Sequence, residues 1–169
     1  MVVRGRVPGA LGLIVGLVCV AGADAASGTS VNLLAKLGPE IARAKAGGVA
    51  VLLPSSIHAD VAASRLYGAG GKSGSGYDVQ LAYAPRCDDG TACFFAEFEG
   101  GRQTRLPGTR VALAHALSGV YSGIHCGASC GPASIHWREG GVLYSVQYVL
   151  GGKLAMIALA DSAIDAGPR

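Results

Sequence analysis

Apolar and polar positions change rhythm along this chain, and the changes mark its elements. Across residues 31–46 apolar side chains interleave with Lys36, Glu40, Arg43 and Lys45 at helical spacing. Pro39 stands where a second helical piece would begin, and Gly47-Gly48 would stop it, since proline suits a first turn and glycine a helix end. Residues 49–53 form a short apolar run, the pattern of a buried strand. The glycine-rich stretch 68–76 reads as a flexible loop by composition. From Tyr77 onward the period becomes two: Tyr77, Val79, Leu81 and Tyr83 alternate with Asp78 and Gln80. Residues 92–98 give the next strand, with Asp89-Gly90 as a turn signal before it, and 111–114 and 120–125 follow. Residues 153–165 read as a closing helix with Leu154, Ile157, Ala158 and Ile164 along one side.

One hairpin has a register that can be argued. If Gly140-Gly141 is a two-residue turn, Trp137 opposes Tyr144 and Ile135 opposes Val146 on one face. His136 then opposes Ser145, and Ser134 opposes Gln147, on the other, polar face. A three-residue loop would mix polar with apolar on both faces. The fold class expected is α+β: an antiparallel sheet of about five to seven strands, with N- and C-terminal helices packed on one face.

Composition narrows the class. Half of the 169 residues are apolar and only 15% are charged, which excludes a disordered chain. Arg4 and Arg6, an apolar run over 10–21 and Ala23-Asp24-Ala25 have the three-part layout of a cleavable secretory signal. The apolar run is too short for a membrane anchor, which needs roughly 20 residues. Val18 and Val20 around Cys19 do not suit a lipoprotein site, and Arg4-Gly5-Arg6 is not a twin-arginine pair. The expected layout is a signal peptide at 1–25, a linker and N-terminal helical segment at 26–48, and one α+β domain at 49–169. The mature 144 residues would carry a net charge of +2, too small to imply a nucleic-acid partner, and no integral membrane segment.

Removal of the leader leaves Cys87, Cys93, Cys126 and Cys130. An even number of cysteines in an exported chain reads as disulfides, with three connectivities open. The local pairs 87–93 and 126–130 are favoured by proximity and by the turn residues they bracket. Such short loops contribute roughly 2 kcal/mol each on the loop-entropy model.

Candidate chemistry is thin. Gly127-Ala128-Ser129-Cys130-Gly131 matches a nucleophile-elbow pattern, but Pro132 and a strand follow where that motif needs a helix. Gly71-Lys72-Ser73 echoes a phosphate-binding loop, yet the required first glycine falls at Leu66. His125, Cys126, Cys130 and His136 would supply two nitrogens and two sulfurs to zinc, against which stands the oxidation expected of exported cysteines. Cys126 and Cys130 lack the spacing of a redox pair. His115 is a further possible ligand. Arg102, Arg105 and Arg110, with Glu97 and Glu99 nearby, read as a solvated charged face.

The run from Cys126 through Cys130, Ile135 and Trp137 to Tyr144 resembles a group of small secreted bacterial proteins of unknown function, frequent in cyanobacteria. So do residues 51–55, the Cys87–Cys93 segment and the ending at 161–169. The resemblance implies export and transfers no activity and no catalytic residue. The strand, Gly-Gly, strand, helix ending is similar to that of PsbP-like exported domains, a likeness of fold alone. The expectation is therefore an exported, non-catalytic domain of the periplasm or cell envelope, without cofactor or metal. It would bind or scaffold an envelope protein or small ligand through its disulfide-pinned surface. The alternative is a zinc-binding or hydrolytic exported enzyme using His125, His136 and Cys126/Cys130.

Overall fold

The structure, a computed structural model, describes residues 28–87, 92–101, 107–127 and 129–169. The expected leader, the expected turn at Asp89-Gly90, Arg102, Arg105 and Ala128 lie outside the described residues. A first strand, β1 (Thr29–Asn32), takes up part of what reads as linker and runs into α1 (Leu33–Lys36) and α2 (Gly38–Ala44). Asn32 caps α1 by accepting a hydrogen bond from the Ala35 amide at 3.0 Å. Next come β2 (Ser56–Ala59), which pairs with β1, then β3 (Tyr67–Ser73), β4 (Gly76–Ala82) and β5 (Phe94–Gly101). After these lie β6 (Thr109–Ala112), β7 (Ser118–Ser122), the small hairpin β8 (His125–Cys126) and β9 (Cys130–Gly131), β10 (Ala133–Glu139), β11 (Val142–Tyr148) and α3 (Lys153–Ala166).

Seven strands make one antiparallel sheet in the order β3-β4-β5-β11-β10-β7-β6. The β10–β11 hairpin sits near its middle in the register its alternation predicts, with Trp137 opposite Tyr144 and His136 opposite Ser145. Gly140 and Gly141 have φ of 56° and 81°, the left-handed values a tight two-residue turn needs. The Trp137 and Tyr144 rings stack with centroids 5.6 Å apart. Tyr77, Val79, Phe98, Ile135, Trp137 and Val146 share one sheet face, and α2 and α3 cover it.

Three segments differ from the sequence expectation, each for a physical reason. The stretch expected as a loop at 68–76 is mostly β3, an edge strand paired with β4 along its length. Its glycines make room for α2: a Cβ at Gly68 would lie 2.9 Å from Leu37 and Glu40 side-chain atoms, and one at Gly71 would lie 2.7 Å from Arg43 Cβ. Residues 49–53 are buried in part but do not form a strand; one isolated bridge joins Leu52 to Pro168. Their backbone is satisfied by side chains and the chain's last residues. The Tyr77 hydroxyl accepts from Leu52 N at 3.1 Å and donates to Leu52 O at 2.9 Å. Tyr144 donates to Ala50 O, and Arg169 donates to Val51 O and Leu53 O. In α3 the buried stripe is Met156, Leu159, Ala160, Ala163 and Ile164, while Leu154 is 82% exposed. Leu154 was expected on the packed side. Periodicity alone fits several rotations of an alanine-rich helix, and contact with the sheet selects one. The strand expected at 120–125 ends at Ser122.

Candidate functional site

The sheet face opposite the helices carries two rows of polar residues across neighbouring strands. In one row, Gln80 on β4, Glu97 on β5 and Gln147 on β11 stand side by side, with Ser134 on β10 beyond. In the next row, Asp78, Glu99, Ser145 and His136 follow the same path. Period-two alternation puts each of these opposite a core residue on its own strand.

Glu97 is the centre of this arrangement. Gln80 Nε2 donates to its Oε1 at 2.7 Å, and Gln147 Nε2 donates to its Oε2. Carboxyl oxygens of Asp78, Glu97 and Glu99 lie within 4.8 Å of one another. Burial, then the charges of Glu99 and Asp78, push the Glu97 carboxyl up from its ordinary 4.5 to about 8, against the lowering effect of Gln80. Burial and the neighbouring carboxylates thus favour its protonated form. The three carboxyls are close enough to share a cation. Each oxygen of Glu97 accepts from one glutamine amide and keeps a second lone pair for a further partner.

A cleft of about 340 Å³ opens over Glu97. Gln80, Glu97 and Gln147 line it, and Phe94, Ile124, Pro132 and Val149 supply apolar wall. A bulge between β4 and β5 pairs Ala82 with Phe94, bringing that ring to the polar side of the sheet. Phe95 meanwhile packs edge-on against Tyr83 and Tyr148. Ile124 is 53% exposed at the cleft, unusual for so large an apolar side chain. Each disulfide contributes one cysteine to the cleft, Cys87 and Cys130. The pairs are the local ones, Cys87–Cys93 and Cys126–Cys130, the second across the β8–β9 hairpin.

The residues singled out from sequence fall elsewhere or play other parts. His125 is exposed on β8, with its ring across Gly131, whereas His136 is buried at 4% exposure in β10 and lies 3.2 Å from Ser134 Oγ. Cys126 and Cys130 are bonded to one another, so the zinc set of His125, Cys126, Cys130 and His136 has no thiolates to offer. The face holding His136, polar by alternation, is covered: Val120, Leu143 and Ser145 are buried with it. A cavity of about 230 Å³ beside them is bordered by Arg110, Arg138, His136 and Leu143. Ser129 sits at the tip between β8 and β9, where its carbonyl accepts from Gly127 N, and a strand follows it, so it is no nucleophile elbow. His115 meets Asp165 at 3.2 Å, both well exposed. Lys72 and Ser73 lie in β3, not at a helix N-terminus.

Sequence reasoning missed Glu97 with its two glutamines. The signal was present as Asp78-x-Gln80 and Glu97-x-Glu99 on the polar phase of two strands. It became a site only once β11 was known to lie beside β5.

No protein-family model matches this chain, and neither does any curated protein or solved structure. Among the described residues no helix is long and apolar enough to cross a membrane.

Proposed function

We infer that this chain is an exported, non-catalytic binding domain of the periplasm or cell envelope, and that its ligand seat is the cleft above Glu97. The observation that carries this reading is an apolar-walled cleft with a small set of converging polar groups at its floor, the usual composition of a small-molecule seat. The two disulfides at its edge support it, because they hold recognition surface in place. The secretory signal at 1–25, the paired cysteines and the resemblance to small secreted proteins support export.

The test is amide-resolved NMR of the labelled protein against a set of amphipathic fragments at millimolar concentration. Shifts should gather on Phe94, Ile124 and Val149. An Ile124→Glu variant should abolish them while its remaining spectrum stays folded. Shifts that gather elsewhere on the molecule would reject the seat.

A further inference from the structure

We propose that the cleft above Glu97 selects a ligand with an ammonium head and an apolar body. This rests on the cleft being the ligand seat, and it adds the ligand's chemistry.

Amide orientation is the first ground. Gln80 and Gln147 each turn their NH2 toward Glu97. Each therefore has its carbonyl oxygen left to offer a ligand. A floor of two amide carbonyls and an ionised Glu97 carboxylate consists of acceptors, and its complement is a head rich in N–H donors. The second ground is charge. Glu97 is the one ionisable side chain among the cleft's described lining residues, and behind it on β4 and β5 stand Asp78 and Glu99. No cationic side chain is among those described lining residues, so a ligand cation would meet an acidic field from the cleft lining. The third ground is the wall. Phe94 with Ile124, Pro132 and Val149 suits an apolar body, and an aromatic ring near a cation adds attraction to its face.

The proton follows from the same contacts. Burial, then the charges of Glu99 and Asp78, raise the proton affinity of Glu97. An ammonium group against it favours the carboxylate, so the proton leaves to buffer as the cation enters. Ser145 and His136 on β11 and β10 continue the neighbouring row, with His136 two strands from Glu99.

The experiment uses the purified protein with three matched probes: phenethylammonium, phenethyl alcohol and phenylacetate. Calorimetry at pH 7 in two buffers of different ionisation enthalpy reads affinity and protons released, and NMR shifts locate the site. The cation should bind about tenfold or more tighter than the alcohol, with the anion weakest. About half a proton or more should be released at pH 7, falling toward zero at pH 9, where free Glu97 is already ionised. Glu97→Gln should bring cation and alcohol within about twofold of each other and abolish release. Its retained alcohol affinity shows that the cleft still folds. Equal binding of cation and alcohol in the cleft would overturn the ammonium assignment and leave the seat standing. A cation preference that survives Glu97→Gln would overturn it too. Absence of saturable binding by all three probes would reject the proposal and the seat together.

Discussion

Replacing Glu97 with glutamine should change how stability depends on pH, and the sign can be worked out. The folded carboxyl is pushed up to about 8 from 4.5, chiefly by burial and then by Glu99 and Asp78. Below the unfolded value both states hold the proton, and the group contributes nothing. Between about 4.5 and about 8 the unfolded chain releases its proton first, so the native state binds more protons and stability falls as pH rises. Above about 8 the loss is complete. At about 1.4 kcal/mol per pH unit the limiting loss is about 5 kcal/mol. The carboxyl is only partly buried and its field is screened by solvent, so about 2–3 kcal/mol is the working figure. In Glu97→Gln this loss disappears, and either neighbouring glutamine can turn its amide to restore complementarity. Urea unfolding of both proteins from pH 4.5 to 9, followed by circular dichroism, measures it. The variant should gain on the parent steadily with pH and level off above pH 8. A difference constant within about 0.5 kcal/mol across the range would refute a buried, proton-holding Glu97.

Other substitutions probe the frame around the site. Tyr77→Phe removes both hydrogen bonds to Leu52 and leaves a buried N–H and C=O without them. It should cost about 2–4 kcal/mol by chemical denaturation, and a loss under about 0.5 kcal/mol would show that the 49–53 segment is held by other means. Trp137→Ala should cost about 3–5 kcal/mol, since the ring is buried and stacked on Tyr144. His136→Ala should cost about 1–3 kcal/mol, because the side chain is buried against Ser134. A neutral result would put His136 back in solvent. Gly70→Ala should cost about 2 kcal/mol or more, given φ of +93° and Asp78 O at 2.2 Å from the added Cβ. Unchanged stability there would mean that β3 does not lie against β4 as described.

What the sequence made legible follows from the range of the interactions involved. The β10–β11 register could be derived because its turn is two residues long and its alternation is strict, so local rules suffice. Both cysteine pairings were favoured for the same reason: partners lie 6 and 4 residues apart. β3 could not be derived, because a glycine-rich composition normally means a loop. Here the glycines answer to α2, an element more than twenty residues earlier in the chain. The 49–53 segment failed similarly. Its hydrophobicity signals burial, but whether its backbone pairs with a strand or with tyrosine hydroxyls depends on residues far along the chain. Glu97 needed the longest inference, since Gln147 comes fifty residues after it.

The two sheet faces also differ in what holds them. On the helix side, Tyr77, Phe98, Trp137 and Val146 join a continuous apolar cluster. On the other, a raised carboxyl sits beside two more carboxyls within 4.8 Å, an arrangement that opposes folding at neutral pH. A row optimised only for stability would place Gln or Thr at position 97, since cross-strand amide and hydroxyl contacts would serve without like-charge repulsion. Local violations of this kind gather at functional sites, where stability is given up for chemistry. The like-charge conflict falls on the one ionisable side chain among the cleft's described lining residues. A cation arriving there would relieve it, so the arrangement that weakens the empty fold is the one that would strengthen the bound one.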